Sequence, residues 1–251
     1  MVSAVSRFHV VVAVSLLSTA AIAADTSYER ILIPITSADT AGAHGALWTT
    51  ELWVRNDSDQ PVSVFPLTFS DATTPEHVTL PLAVARPSPD LPPGQFIYVT
   101  RTLADSVRFN VRVFDANRVL AVWGTEIPVI REKGFLRDRV VLFNVPTSSD
   151  LRISLRVYGA TDGDANVRLR IFDMRGSEPL LDAPLHLASR APVQYNPAYA
   201  QVLSLSDTFP QIRASAQVRV EITSEQSGVD LWAFVTVVSN TTNAITTITP
   251  Q

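Results

Sequence analysis

Trp48-Thr49-Thr50-Glu51-Leu52-Trp53-Val54-Arg55-Asn56-Asp57-Ser58-Asp59-Gln60-Pro61-Val62-Ser63-Val64 reads as a strand, a turn and a second strand. It is the strongest hairpin signal in the chain. Leu52 and Val54 alternate with Glu51, Trp53 and Arg55, the period of two expected when one strand face is buried. Asn56-Asp57-Ser58-Asp59 supplies the turn, since Asx side chains bond their own backbone and tolerate left-handed geometry. Pro61 opens the second strand, where loss of one N–H costs least. Trp48 is in phase with Leu52 and Val54 and is expected in the core. Trp53 has the opposite phase and is expected on the outer face, beside Glu51 and Arg55.

The same pattern extends in both directions. Glu29 to Ile35 reads as the first strand, and the second strand of the hairpin runs on to Phe69. Pro75, Pro81, Pro87, Pro89, Pro92 and Pro93 exclude a long helix from Ala72 to Pro93, which is expected to hold at least one short strand, around Val78 to Leu82. Gln95 to Val99, Val107 to Val113 and Val119 to Thr125, which holds Trp123, follow as strands. The pattern then restarts. Asp138 to Phe143 echoes Glu29 to Ile33, and Ser204 to Asp207 echoes Thr102 to Asp105. Arg152 to Tyr158, Val167 to Phe172, Val218 to Ile222 and Asp230 to Val238 read as strands of the second half. Asn196-Pro197 has the cap and first-turn residues of a helix, expected over Ala198 to Leu205. Two repeats of roughly 110 residues with short, evenly spaced strands predict an all-β chain of two tandem antiparallel β-sandwiches. The expected boundaries are 1–24 for a leader, 25–130 for the first sandwich, 131–137 for a linker and 138–251 for the second.

The leader is read from Arg7 and His9, the apolar run Val10 to Leu17, and the small-residue site Ala21-Ile22-Ala23. Those three regions make a cleavable secretory signal, too short to span a bilayer. A periplasmic or secreted location is the expectation, with no transmembrane span. The chain has no cysteine, so stability must come from burial, and thiolate chemistry is excluded. Loss of Arg7 with the leader leaves 19 of the 20 basic residues against 24 acidic ones, which argues against a nucleic-acid partner. Lys133 is the only lysine.

Chemistry-bearing residues are sparse. His44, His77 and His186 have no metal-ligand spacing and no nucleophile elbow accompanies them, so no enzyme activity and no cofactor are expected. Asp162, Asp164 and Asn166 match the opening D-x-D-x-N of a calcium loop, but Val167 stands where that loop needs glycine and Asp173 where it needs glutamate. They are weak metal candidates, read first as an Asx-rich hairpin turn. Arg108 and Arg112, Arg152 and Arg156, and Arg168 and Arg170 recur on outward faces. They form either a basic column for an acidic glycan or a partner's carboxylate, or a solvated face of cross-strand ion pairs. Trp53 with Arg55 is the strongest candidate for holding a protein or glycan partner, because an outward indole offers an apolar platform. The alternative is that Trp53 packs against the other sandwich or a loop.

WTTELWVRN (48–56), LPPG (91–94) and LWAFVTVVSNTT (231–242) resemble strand-and-turn patterns of immunoglobulin-like sandwich repeats in bacterial exported proteins. That resemblance implies non-catalytic binding or structural roles in the cell envelope. RDRVVLFNVP (137–146) is similar to the inter-domain region of two-domain periplasmic pilus chaperones. This second resemblance implies partner binding by strand addition, with Arg30 and Lys133 in the places of the basic pair that anchors a subunit carboxylate. A carbohydrate-binding module built on Trp53 is the third reading.

Overall fold

A computed structural model describes residues 28–35, 40–62, 64–65, 84–85, 94–118, 124–190 and 196–251. The expected leader, the Val78 to Leu82 strand, His77 and Trp123 lie outside the described residues. The described residues form an all-β fold of antiparallel sheets. In the first half the strands are β1 (Tyr28–Ile33), β2 (Thr40–Ala41), β3 (Leu47–Asn56), β4 (Val64–Phe65) and β5 (Val84–Ala85). They are followed by β6 (Gln95–Thr100), β7 (Val107–Asp115), β8 (Thr125–Ile127) and β9 (Ile130–Arg131). The second half holds β10 (Leu136–Arg137), β11 (Arg139–Pro146), β12 (Leu151–Ala160), β13 (Ala165–Asp173) and β14 (Pro179–Leu187). It ends with β15 (Ala198–Val202), β16 (Gln217–Ser224), β17 (Asp230–Ser239) and β18 (Ile245–Ile248).

These strands make four sheets. Sheet A has the order β4-β6-β1-β9, and sheet B the order β2-β3-β7-β8 with β5 also on β3. Sheet C runs β10-β17-β12-β15 with β18 on β17, and sheet D runs β11-β16-β13-β14. One pairing scheme serves both halves: β1 lies on β6 and β3 on β7, as β12 lies on β15 and β13 on β16. The strand that pairs as β1 does is therefore β12. β11, which carries the sequence echo of β1, instead borders β16. The second echo does coincide with structure, since Thr102 to Asp105 lies in a 3-10 turn after β6 and Ser204 to Asp207 enters a short helix after β15.

The helix expected over Ala198 to Leu205 is a strand up to Val202, and only Leu205–Thr208 is α-helical. Ala198, Ala200 and Val202 are buried with Tyr199 and Gln201 between them, so a half-buried strand position outweighs the local cap signal. Segment 131–137 is tied to both halves: Arg131 is in β9 beside β1, and Leu136–Arg137 pairs with β17. Phe135 between them is buried with its ring 6.0 Å from that of Phe96.

The halves meet through sheet C. Along β12 and β17 the odd positions Ile153, Leu155, Val157, Leu231, Ala233, Val235 and Val237 join the core between sheets C and D. The even positions Tyr158, Trp232 and Phe234 join the core of the first half, with Leu32, Ile97 and Val113. The Tyr158 hydroxyl donates to the Pro34 carbonyl at 2.7 Å in the buried contact. Gly94, the end of LPPG, has φ +74°, and a methyl there would come within 2.8 Å of the Tyr158 ring. A side chain at that position is excluded by both conformation and space.

A second tie is polar. The fully buried Asp115 accepts the Leu47 and Asn117 N–H groups at 2.9 and 3.1 Å and the Asn243 amide at 3.2 Å. Asn243, itself buried with φ 55°, accepts from Arg152 at 2.9 Å. Burial pushes the Asp115 carboxyl up, but those donors and Arg118 outweigh it, leaving the carboxyl below its ordinary value.

Two outcomes follow from this junction. Trp232→Ala should cost about 3–5 kcal/mol in a urea titration, the range for emptying a large aromatic site; a loss under about 1 kcal/mol would mean the junction is not packed as described. A lowered carboxyl stabilises the fold above the ordinary carboxylate range, and that contribution fades as the pH falls through the folded value. The stability advantage of the native chain over Asp115→Asn should therefore be level from about pH 5 upward and close in more acidic solution. An advantage that grows on acidification would contradict the assignment.

Candidate functional site

Sheets B and D each present one wet face, and the two faces differ. On β3 and β7 the alternation is clean: Leu52, Val54, Val111 and Val113 are buried, whereas Glu51, Trp53, Arg55, Arg108, Asn110 and Arg112 face out. Register sets the outward residues side by side, Glu51 opposite Arg112, Trp53 opposite Asn110 and Arg55 opposite Arg108. Arg112 is also opposite Glu126 of β8. Together Glu51, Trp53, Asn110, Arg112, Gly124 and Glu126 line a shallow open cleft of about 510 Å³. Trp53 is half-buried there, and its indole N–H is 3.5 Å from Glu51 Oε2. Gly124 has φ +84°, and a methyl there would meet the Val113 carbonyl at 2.5 Å, so β7 and the chain entering β8 approach closely beside the cleft.

The cleft's polar groups are connected. Arg112 Nη2 donates to Glu51 Oε2 at 2.7 Å, and its guanidinium stands 5.2 Å from the Phe114 ring. The Asn110 amide donates to Glu126 Oε1. Farther along the face, Arg55 and Arg108 share Asp57, at 2.6 and 3.8 Å. The arginines expected to form a basic column are thus interleaved with acids. Trp53 stands against Glu51, Asn110 and Arg112 of its own sheet, and the aromatic residues that pack between the halves are Tyr158, Trp232 and Phe234.

On sheet D the outward residues are an ion-pair lattice: Arg168 and Arg170 on Asp182, and Arg139 and Arg219 on Glu221. One outward aromatic, Phe172, is buried beneath the Arg219 guanidinium at 4.5 Å, and a second, Phe143 of β11, is half-buried. Arg152 and Arg156 face the junction between the halves, Arg152 on Asn240 and Asn243, and Arg156 on Thr236.

Arg30 and Lys133 lie in a charge network at the edge of sheet A. Arg30 binds Glu132 through Nε at 3.0 Å and Nη2 at 2.8 Å, and Lys133 Nζ is 3.8 Å from Asp105. Arg131 joins the network through Glu29 and Asp105. A carboxylate seeking the Arg30–Lys133 pair would have to displace these acids.

The acidic turn Asp162-Gly163-Asp164 connects β12 to β13. Asp164 Oδ1 accepts the Ser189 N–H at 2.8 Å and its hydroxyl at 2.7 Å, and Oδ2 is 3.3 Å from His186 Nε2. These bonds, led by the Ser189 N–H, hold the Asp164 carboxyl below its ordinary value. Asn166 Oδ1 is 3.0 Å from His186 Nδ1. Ser, His and Asp meet here, but the serine hydroxyl is on the carboxylate instead of the imidazole, so the group lacks the relay of a nucleophilic triad. Among the described residues no cluster of three or more His, Cys, Asp or Glu is placed to hold a metal ion. No helix among them is long and apolar enough to cross a membrane.

Comparison with protein-family models, curated proteins and solved structures found no match.

Millimolar calcium should leave the melting temperature unchanged, because both Asp164 oxygens already serve Ser189 and His186. A saturable rise of several degrees, lost in Asp164→Asn, would make the turn a cation site.

Proposed function

We propose that this chain is an exported, non-catalytic binding protein of the cell envelope that holds its partner on the outer face of sheet B. One observation carries the reading: that face sets a half-buried indole in an open cleft among Glu51, Asn110, Arg112 and Glu126. A large aromatic at the centre of a polar, concave patch is the usual anchor of a binding surface. On the corresponding face of sheet D, Phe172 is covered by an arginine and Phe143 is half-buried but lacks the polar N–H of an indole. The export part of the proposal rests on Arg7, the Val10 to Leu17 run and the Ala21-Ile22-Ala23 site. The ion pairs on Arg30 and Lys133 favour this reading over capture of a partner's carboxylate at the junction.

Trp53→Ala tests it. The side chain packs on the outside of its sheet, so the stability loss should stay near 1 kcal/mol, well below the range for a core aromatic. Binding to whatever ligand the native chain retains should fall at least about tenfold, as for a central anchor. A large loss of stability with unchanged binding would make Trp53 a packing residue and end the proposal.

A further inference from the structure

The chemistry of the partner is written in the charges of the cleft. We infer that the Trp53 cleft takes an uncharged saccharide chain; the inference rests on the reading of sheet B as the binding face. The indole supplies the apolar half of that recognition. A pyranose ring has one face of C–H groups that packs on an aromatic surface, and a rim of hydroxyls that needs donors and acceptors around it. Asn110 stands opposite Trp53, and Glu51, Arg112 and Glu126 form the next row across β3, β7 and β8, on one flank of the indole. A carboxylate accepts at about four positions, of which Asn110 fills one on Glu126, so hydroxyl donors find acceptors in the cleft that the indole lines. The volume, about 510 Å³, is that of a small-ligand site, and the open shape lets a chain run through it.

Charge excludes the acidic alternatives. The cleft lining carries two carboxylates, Glu51 and Glu126, against one guanidinium, Arg112. An incoming uronate or sulfate would have to compete with Glu51 for Arg112, which it holds at 2.7 Å, while facing Glu126. Arg55 and Arg108, the next cations on the face, share Asp57. Among the described residues the outer face of sheet B carries three acids, Glu51, Asp57 and Glu126, against three arginines, Arg55, Arg108 and Arg112, so it presents no excess of positive charge to an anion. A polyol can use that arrangement, hydrogen-bonding to the fixed donors and acceptors without forming an ion pair.

The test is titration of the full chain, followed by tryptophan emission and calorimetry, with defined hexasaccharides. The set holds four uncharged chains (β-1,4-glucan, α-1,4-glucan, mannan and N-acetylglucosamine), one hexuronate and a lysine-rich peptide. At least one uncharged hexasaccharide should bind saturably, with less than about a twofold change in affinity between low and high salt, since no ion pair is formed. That binding should fall about tenfold or more in Trp53→Ala. Asn110→Ala, at an exposed position, should weaken it too and serves as the second variant should Trp53→Ala fail to fold. Preferential, salt-sensitive binding of the hexuronate, lost in Arg112→Ala, would overturn the inference in favour of a basic face. Binding of the peptide alone, lost in Trp53→Ala, would overturn the saccharide and keep sheet B as the binding face. Binding of no uncharged chain, or binding untouched by both variants, would overturn it outright.

Discussion

Burial of both faces of β17, with Tyr158 of β12 beside it, is the constraint on which the rest of the structure depends. A strand with period-two side chains can serve two cores only if both its odd and its even positions are apolar. β17 meets that condition with Leu231-Trp232-Ala233-Phe234-Val235, in which small and branched residues point to one core and aromatics to the other. β12 supplies Tyr158 on the same side as Trp232 and Phe234, with ring centroids 5.9 and 6.4 Å away. The aromatics exclude water from the junction, and the buried bonds of Tyr158 to Pro34 and of Asp115 to Asn243 fix how the halves meet. An apolar surface alone would set no such register, because the hydrophobic effect is non-directional.

This arrangement distributes the solvent-facing surface. With sheet C covered on both sides, and Leu32 and Phe96 as well as Ile31 and Ile97 buried on sheet A, the broad wet faces among the described residues are those of sheets B and D. Both carry ladders of arginine and acid. Each also has a phenylalanine against a guanidinium, Phe172 on sheet D and Phe114 on sheet B; sheet B adds the indole of Trp53 in a cleft. A sandwich scaffold by itself specifies no function; the side chains on its wet faces do.

The all-β class and most long strands were legible because alternation over six to ten residues is a strong signal, and β3, β7, β13 and β16 all show it. The outward phase of Trp53 was legible for the same reason. The double burial of β17 was not drawn from the sequence, although the unbroken apolar run 231–235 carried it. β14 escaped because its prolines and partly buried leucines suit an edge strand and mimic a loop. The Ala198 to Leu205 helix was misread because a local Asn-Pro cap signal competes with pairing that only the fold reveals. Of the cleft, Trp53 and Arg112 were marked from sequence. Asn110 and Glu126 were missed, because their place in the cleft is set by the register of β3, β7 and β8, strands far apart in the chain.

Native-state hydrogen exchange tests the central claim most directly, because it reports how each strand opens. If sheet C is shared by two cores, the amides of β1 and β6 in the first half and of β12 and β17 in the second should exchange through the same global opening, with one free energy and one denaturant dependence. Exchange of β1 and β6 through a separate, lower-energy opening that leaves β12 and β17 protected would contradict the account.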